Sequence, residues 1–256
     1  MTHLRQAALP GFELGDYIRE SVAFLREHEP PEGFFVAFSG GKDSIVTLAL
    51  CRLAGVRHTA FYSCTRIDPP EEVRHIRREY TEVVWLYPRM SIWEGVRRYG
   101  PPLRYRRWCC DMLKKQPARR HPLKHRVMGL RAEESARRAA RPRIEAFRGQ
   151  TVYKPIFSWP EWAVWEAVEA LGLSCPPLYD EGFRRVGCVI CPFILGNTPG
   201  AVRQRQESMR RWPGIWRAFE HAARAWWQTR ALQGKSVRLH ASADAYWQDY
   251  LQHFGK

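Results

Sequence analysis

The chain has 256 residues, 45% of them hydrophobic and 13% aromatic, with 41 Lys and Arg against 26 Asp and Glu for a formal charge of +15. That content argues against a disordered tail, and an odd count of seven cysteines with no secretory leader argues against a disulfide framework. No run of about eighteen apolar residues is present to cross a membrane, so a cytoplasmic protein is expected.

Leu14, Ile18, Val22 and Leu25 recur at helical spacing and predict a helix over 12–28, broken by Pro30-Pro31-Glu32-Gly33. Phe34 to Phe38 is a continuous apolar run, the mark of a strand buried on both faces of a parallel sheet. A glycine loop follows at once, then a helix from Ile45 to Leu53 ending near Gly55. Arg57–Ser63 reads as a second strand, Glu71–Tyr80 as a charged helix and Val83–Tyr87 as a third strand. Strand-helix alternation of this kind predicts an α/β fold: a parallel sheet with flanking helices and right-handed crossovers.

Residues 97–126 are dense in Arg and Lys around Cys109-Cys110. Arg126–Leu130 predicts a further strand feeding Arg131 to Arg138, and a helix is expected from Pro160 to Leu171, with Pro160 in its first turn. Thr198 to Tyr250 is Trp-, Arg- and Ala-rich with a helical pattern. The expected organisation is one α/β domain over 1–195 and a helical C-terminal extension over 196–256.

Between the first strand and its helix stands Ser39-Gly40-Gly41-Lys42-Asp43-Ser44. Two glycines let backbone N–H groups approach phosphate oxygens, and the helix N-terminus adds a positive dipole end. Ser39 and Ser44 supply hydroxyls and Lys42 a mobile charge. Asp43 is repelled by phosphate unless it caps the helix or helps hold Mg²⁺, and it rules out a Walker A loop, where Ser or Thr follows the Lys. The bland alternative is an ordinary Gly-rich turn. Arg131 and Arg138, seven apart, would share a helical face and bind phosphate or sulfate if Arg131 already lies in the helix. They could instead pair with Glu133 and Glu134.

The hexapeptide resembles the PP-loop of the ATP pyrophosphatase superfamily, whose members cleave ATP between the α- and β-phosphates and adenylate a substrate. Thr65, in the segment Thr65–Glu72, falls where that superfamily places a Thr-containing nucleotide segment. Gly129-Leu130-Arg131-Ala132-Glu133-Glu134-Ser135-Ala136-Arg137-Arg138 is similar to the G-x-R-x-x-E-S-x-x-R segment of phosphoadenylylsulfate (PAPS) reductase-like proteins. Pro155-Ile156, Trp159, Trp165, Pro177–Asp180 and Gly187–Pro192 follow in the same order. The resemblance covers roughly residues 30–195. It implies an adenine nucleotide alpha hydrolase-like fold, ATP and Mg²⁺ as cofactors, and Lys42, Asp43 and Arg131 as catalytic residues. Ser39, Gly40, Gly41, Ser44, Thr65, Gly129, Glu134, Ser135 and Arg138 would join Lys42, Asp43 and Arg131 in the nucleotide site.

Cys188-x-x-Cys191 has a chelating spacing that suits zinc or a redox dithiol. Adjacent Cys109 and Cys110 seldom share one zinc ion, whereas a cubane offers separate iron corners, and four thiolates are what a [4Fe–4S] cluster needs. A Cys-Cys pair followed downstream by Cys-x-x-Cys also resembles adenylylsulfate (APS) reductases and DNA phosphorothioation proteins. Zinc and unligated thiols remain alternatives. Arg106, Arg107, Lys114 and Lys115 would surround the thiolates with positive charge, while Cys51 reads as core and Cys64 and Cys175 lie at element boundaries.

No cysteine follows Cys191 in this sequence, whereas APS and PAPS reductases carry a further nucleophilic Cys near the C-terminus. The resemblance therefore runs closest to the sulfurtransferases of bacterial DNA phosphorothioation (the DndC/SspD group). It implies a cysteine desulfurase as sulfur donor and DNA, or tRNA, as acceptor, consistent with the basic charge. An APS/PAPS reductase, a tRNA thiolase and a zinc-containing nucleic-acid-binding module without activity are the alternatives. No membrane partner is expected.

Overall fold

The computed structural model describes residues 13–193, 195–234 and 240–254. Residue 12 of the expected first helix, and residues 235–239 and 255–256 of the expected extension, lie outside the described residues. Compactness divides the chain into two units assembled from non-contiguous segments. Among the described residues the first comprises 13–62, 71–86 and 119–186, and the second comprises 63–70, 87–118, 187–193, 195–234 and 240–254. Chain order alone suggests one boundary after residue 195, and the compact units do not follow it.

The first unit is built on a six-stranded sheet in the order β3-β2-β1-β4-β6-β5. Its strands are β1 (Phe34–Phe38), β2 (His58–Ser63), β3 (Val84–Leu86), β4 (His125–Met128), β5 (Ile144–Phe147) and β6 (Gln150–Tyr153). β1 runs parallel to β2 and β4, and β4 runs parallel to β6. The fold class is thus the expected α/β, with one addition. β5 and β6 form an antiparallel hairpin, turned by Arg148 and Gly149, both at positive φ, as a two-residue type I′ connection requires.

The helices of this unit include α1 (Leu14–Glu27), α2 (Lys42–Ala54) and most of α3 (Pro70–Glu79). α2 begins at Lys42, three residues before its first apolar position, because Asp43 in the first turn favours the positive end of the helix dipole. Nearly every α2 side chain is buried, as expected for a helix enclosed by sheet and neighbours. Phe35 stacks on Phe61 with centroids 4.2 Å apart, beneath the Arg126 guanidinium at 3.7 Å from the Phe35 ring. Burial lowers the pKa of Arg126 to about 10. Trp159, fully buried, donates its indole N–H to Ser21 Oγ at 3.0 Å, and Ser21 donates in turn to the Pro155 carbonyl.

The second unit is mostly helical. It holds α4 (Ile92–Tyr99), capped by Ser91 and Glu94, and a π-helical turn at Cys110–Lys115 that leads into α5 (Gln116–Arg119). The one-turn α6 (Ala136–Ala139) and α7 (Glu161–Ala170) belong to the first unit, and Pro160 caps α7 instead of lying within it. α8 (Pro199–Arg211), α9 (Pro213–Leu232) and α10 (Ala243–Gln252) complete the second unit. Trp216, Phe219, Trp247, Tyr250 and Phe254 form its aromatic core, so much of the Trp-rich pattern is packing. Among the described residues no helix is long and apolar enough to cross a membrane.

Candidate functional site

The sheet order places β1 at a topological switch point, with β2 on one side and β4 on the other. Ligands of open α/β sheets bind in the crevice beyond the carboxyl ends of such strands. The loop 39–44 leaves β1 at that position and runs into α2. Gly40 has φ +79°, and a Cβ there would stand 2.6 Å from Ile76 Cδ1, so glycine is required on both counts. Gly129, at the end of β4, passes so close to α2 that a Cβ would lie 2.6 Å from the Asp43 carbonyl oxygen.

Within the loop, Ser44 Oγ donates to the Gly41 carbonyl at 2.8 Å and is 3.1 Å from both the Ser39 amide nitrogen and Ser39 Oγ. The two serines therefore brace the turn. Lys42 Nζ, almost wholly buried, pairs with Asp43 at 3.1 Å and with Glu161 at 3.2 Å. Arg131 Nε binds the other Asp43 oxygen at 2.6 Å, and its guanidinium also pairs with Glu133. Burial raises the Asp43 pKa, but Lys42 and Arg131 outweigh it and hold the carboxyl below the ordinary range. Burial likewise lowers Arg131, yet Asp43 and Glu133 raise it overall, so the guanidinium stays charged.

Arg131 is extended, at φ −113° and ψ 143°, ahead of the single 3₁₀ turn Ala132–Glu134. It therefore shares no helical face with Arg138, and the expected helix-face anion pair does not form. The reason is local: Arg131 turns toward Asp43 on α2. Glu134 accepts from Arg138 and, at 2.9 Å, from Arg185, while Ser135 caps α6. Both arginines are thus ion-paired, Arg131 with Glu133 and Arg138 with Glu134.

Two further neighbours of the loop come from distant sequence. Tyr179 accepts a hydrogen bond from the Lys42 amide at 3.1 Å, and burial pushes its phenol well above the ordinary tyrosine range. Tyr179 lies in the Pro177–Asp180 segment, a usable sequence signal, whereas nothing in the sequence singles out Glu161. Cys175 is half-buried, and burial raises its pKa to about 11, opposed by the charge of Lys42.

Thr65 belongs to the second unit. Its hydroxyl donates to Asp68 at 2.7 Å, in a turn where Arg66 has φ +63°. Asp68 also accepts from Cys188 Sγ at 3.2 Å and lies 3.8 Å from Lys114 Nζ. Burial raises the Cys188 thiol, reinforced by Asp68. Cys109, Cys110, Cys188 and Cys191 all lie in this unit, each half-buried. Cys109 is raised by its hydrogen bond to Cys110 and by burial, and also by the charges of Cys110, Cys188 and Cys191. Cys110 is lowered by that same bond and by Arg107 and Lys114. Of the four expected cations, Arg107 and Lys114 act on these thiols, while Arg106 turns to the Tyr99 carbonyl and Lys115 is exposed. Among the described residues, no three His, Cys, Asp or Glu side chains form a group that would hold a metal ion as they stand. Cys51 and Cys64 are buried, and burial raises Cys51 to about 12.

The sequence profile of the phosphoadenosine phosphosulfate reductase domain matches residues 33–193, a span that contains the loop, the Gly129–Arg138 segment and all four of these cysteines. An uncharacterized protein of Methanocaldococcus jannaschii is 28% identical over 226 residues, covering 82% of this chain and 46% of that protein. A second from the same organism is covered over 53% of its length, so the chain spans about half the length of these relatives. A phosphoadenosine 5'-phosphosulfate reductase of Gloeobacter violaceus is 29% identical over 164 residues, covering 60% of this chain and 68% of that enzyme. Among solved structures, PAPS reductase from Candida auris in its phosphate complex superposes with a TM-score of 0.53 at 18% identity. That superposition covers 71% of this chain and 97% of the other, and it shows a shared fold.

Proposed function

Because this chain belongs to the phosphoadenosine phosphosulfate reductase domain family, we propose that it is an ATP pyrophosphatase-type sulfurtransferase that activates an acceptor with ATP for sulfur incorporation. The acceptor is DNA of a bacterial phosphorothioation system, and the sulfur comes from a cysteine desulfurase. The observation that carries this reading is the Lys42–Asp43–Arg131 network on a glycine loop at the sheet's switch point.

A triphosphate arriving at the α2 N-terminus competes with Asp43 and Glu161 for Lys42, whose ammonium these carboxylates hold at 3.1 and 3.2 Å. Arg131 keeps Asp43 ionised, leaving that carboxylate able to help hold the Mg²⁺ that accompanies ATP. An acceptor oxygen then attacks the α-phosphorus, and pyrophosphate leaves with the bonding electron pair. Lys42 offsets the charge that develops on the departing group. The terminal sulfur of the desulfurase's persulfide next attacks the activated acceptor and displaces AMP. A thiol reductant then cleaves the S–S bond, leaving the sulfur on the acceptor and the carrier sulfur in a disulfide with the reductant.

The thiols of Cys109, Cys110, Cys188 and Cys191 would hold a [4Fe–4S] cluster. Support comes from four half-buried sulfur donors in one unit and from Arg107, which donates to Cys110 Sγ at 3.5 Å. When bound, such a group supplies electron or sulfur handling. Asp68 and Thr65 hold the Cys188 side chain in place.

A second reading is reduction of APS or PAPS, the latter favoured by the Gloeobacter relative. One experiment separates the two: the purified chain is incubated with Mg²⁺ and ATP, or with APS or PAPS and a thiol reductant. Pyrophosphate and AMP from ATP, increased by nucleic acid and a persulfide donor, support sulfur transfer. ADP and orthophosphate would refute α–β cleavage, and sulfite from APS or PAPS would establish the second reading.

A further inference from the structure

The second unit contains a cavity of about 560 Å³, separate from the thiols and the phosphate loop in its lining. Its volume falls in the ligand-site range of about 300–1,000 Å³. The walls combine aromatic rings with guanidinium groups: Tyr105, Trp226 and Tyr246 beside Arg98, Arg106 and Arg230. Tyr105 is 79% exposed, an aromatic ring left in solvent. Trp226 lies against Gly100 and packs on Tyr246 with centroids 5.5 Å apart, which fixes its ring in the wall.

The charges are uneven. Asp249 is the one carboxylate in the lining, and it is engaged by His240 at 3.1 Å and His253 at 3.0 Å. None of the three arginines has a carboxylate partner among the described residues. Arg98 lies over the Tyr99 ring and Arg230 over the Trp226 ring, both 5.4 Å from the centroid, and Arg106 donates to the Tyr99 carbonyl. Three guanidiniums against one engaged carboxylate leave a positive groove, and flat apolar faces line it.

We propose that this groove binds a single-stranded nucleic-acid segment, with an unpaired base stacked on Tyr105 or Trp226 and flanking phosphates paired to Arg98, Arg106 and Arg230. Aromatic platforms combined with arginines are what a flexible, base-exposed strand uses; a duplex hides its base faces. The groove wall also leads to the thiols. Trp108, part of the lining, donates to the Gly100 carbonyl at 3.1 Å and directly precedes Cys109. The assignment of this strand as the acceptor rests on the sulfur-transfer reading, whereas binding itself does not.

The test measures fluorescence anisotropy of labelled twelve-residue oligothymidylate and oligouridylate with the full chain, across a salt series. An unlabelled duplex and thymidine monophosphate serve as competitors. The expected result is single-strand binding that the duplex and the mononucleotide compete for poorly. Tyr105→Ala should weaken it about tenfold, within the usual range for loss of one stacked base. Arg98→Ala with Arg230→Ala should flatten the log-log salt slope by about 1.4, or roughly 0.7 per lost phosphate contact on a single strand. The relative affinity for the two oligomers tells whether DNA or RNA is the natural source.

Basal pyrophosphate release from ATP, measured on the same variants without nucleic acid, should not change, which separates this groove from the loop chemistry. Unaltered affinity and salt slope in both variants, equal affinity for duplex, or full competition by the mononucleotide would each overturn the proposal. Strand binding that persists in a chain with no pyrophosphatase activity would support the groove while refuting the catalytic reading.

Discussion

Replacing Arg131 with Met tests whether the Asp43 network is structural support for the loop as well as chemistry. Arg131 is 4% exposed and spans from the end of β4 to α2 through its 2.6 Å bond to Asp43. Removing one partner of a buried ion pair typically costs about 3–5 kcal/mol. Asp43 keeps Lys42 at 3.1 Å and retains some solvent contact, so the expected loss is near the lower end, about 3 kcal/mol. The pH dependence has a definite sign. A carboxyl depressed in the folded state contributes stability that is present above its unfolded pKa and lost as pH falls through its folded pKa. Asp43 is depressed, so the native protein holds this contribution at pH 7 and loses it below about pH 4. Urea denaturation of both proteins at pH 7 and near pH 3 should show a gap that narrows in acid. A variant as stable as the native protein at pH 7, or a gap that widens in acid, would refute the reasoning.

Three further outcomes follow from the same geometry. Gly40→Ala should lose ATP binding in calorimetry and unfold at lower temperature, since the left-handed backbone alone costs about 1–2 kcal/mol and its new Cβ meets Ile76. Lys42→Ala should slow pyrophosphate release by about 10²–10³-fold in a coupled phosphate assay, with little change in circular dichroism. Anaerobically purified protein should contain about four irons per chain by metal analysis, and Ser at Cys109, Cys110, Cys188 or Cys191 should strip them while Cys51→Ser does not. Stoichiometric zinc without labile sulfide would overturn that cofactor assignment.

Local pattern determined much of this protein. The apolar run Phe34–Phe38, cut off by glycines on both sides, reads as a strand buried on both faces, and two glycines followed by Lys42-Asp43-Ser44 read as a sharp turn into a helix. Period and turn chemistry involve residues a few positions apart, which is why strand, loop and helix were legible together. Even there, α2 begins at Lys42 and not at Ile45, because apolar spacing cannot detect a first turn made of polar residues. The antiparallel β5–β6 hairpin escaped because an Arg-Gly turn lacks the common Asn-Gly signal. Tertiary structure alone decided the rest of the site. Tyr179 reaches the Lys42 amide across 137 residues and Arg131 reaches Asp43 across 88, the latter leaving helical geometry to do so. Likewise, Thr65 and Asp68 meet Cys188 across more than a hundred residues. Such pairings are set by where the strand ends and helix starts of each unit come together, a geometry that no periodicity within one segment encodes.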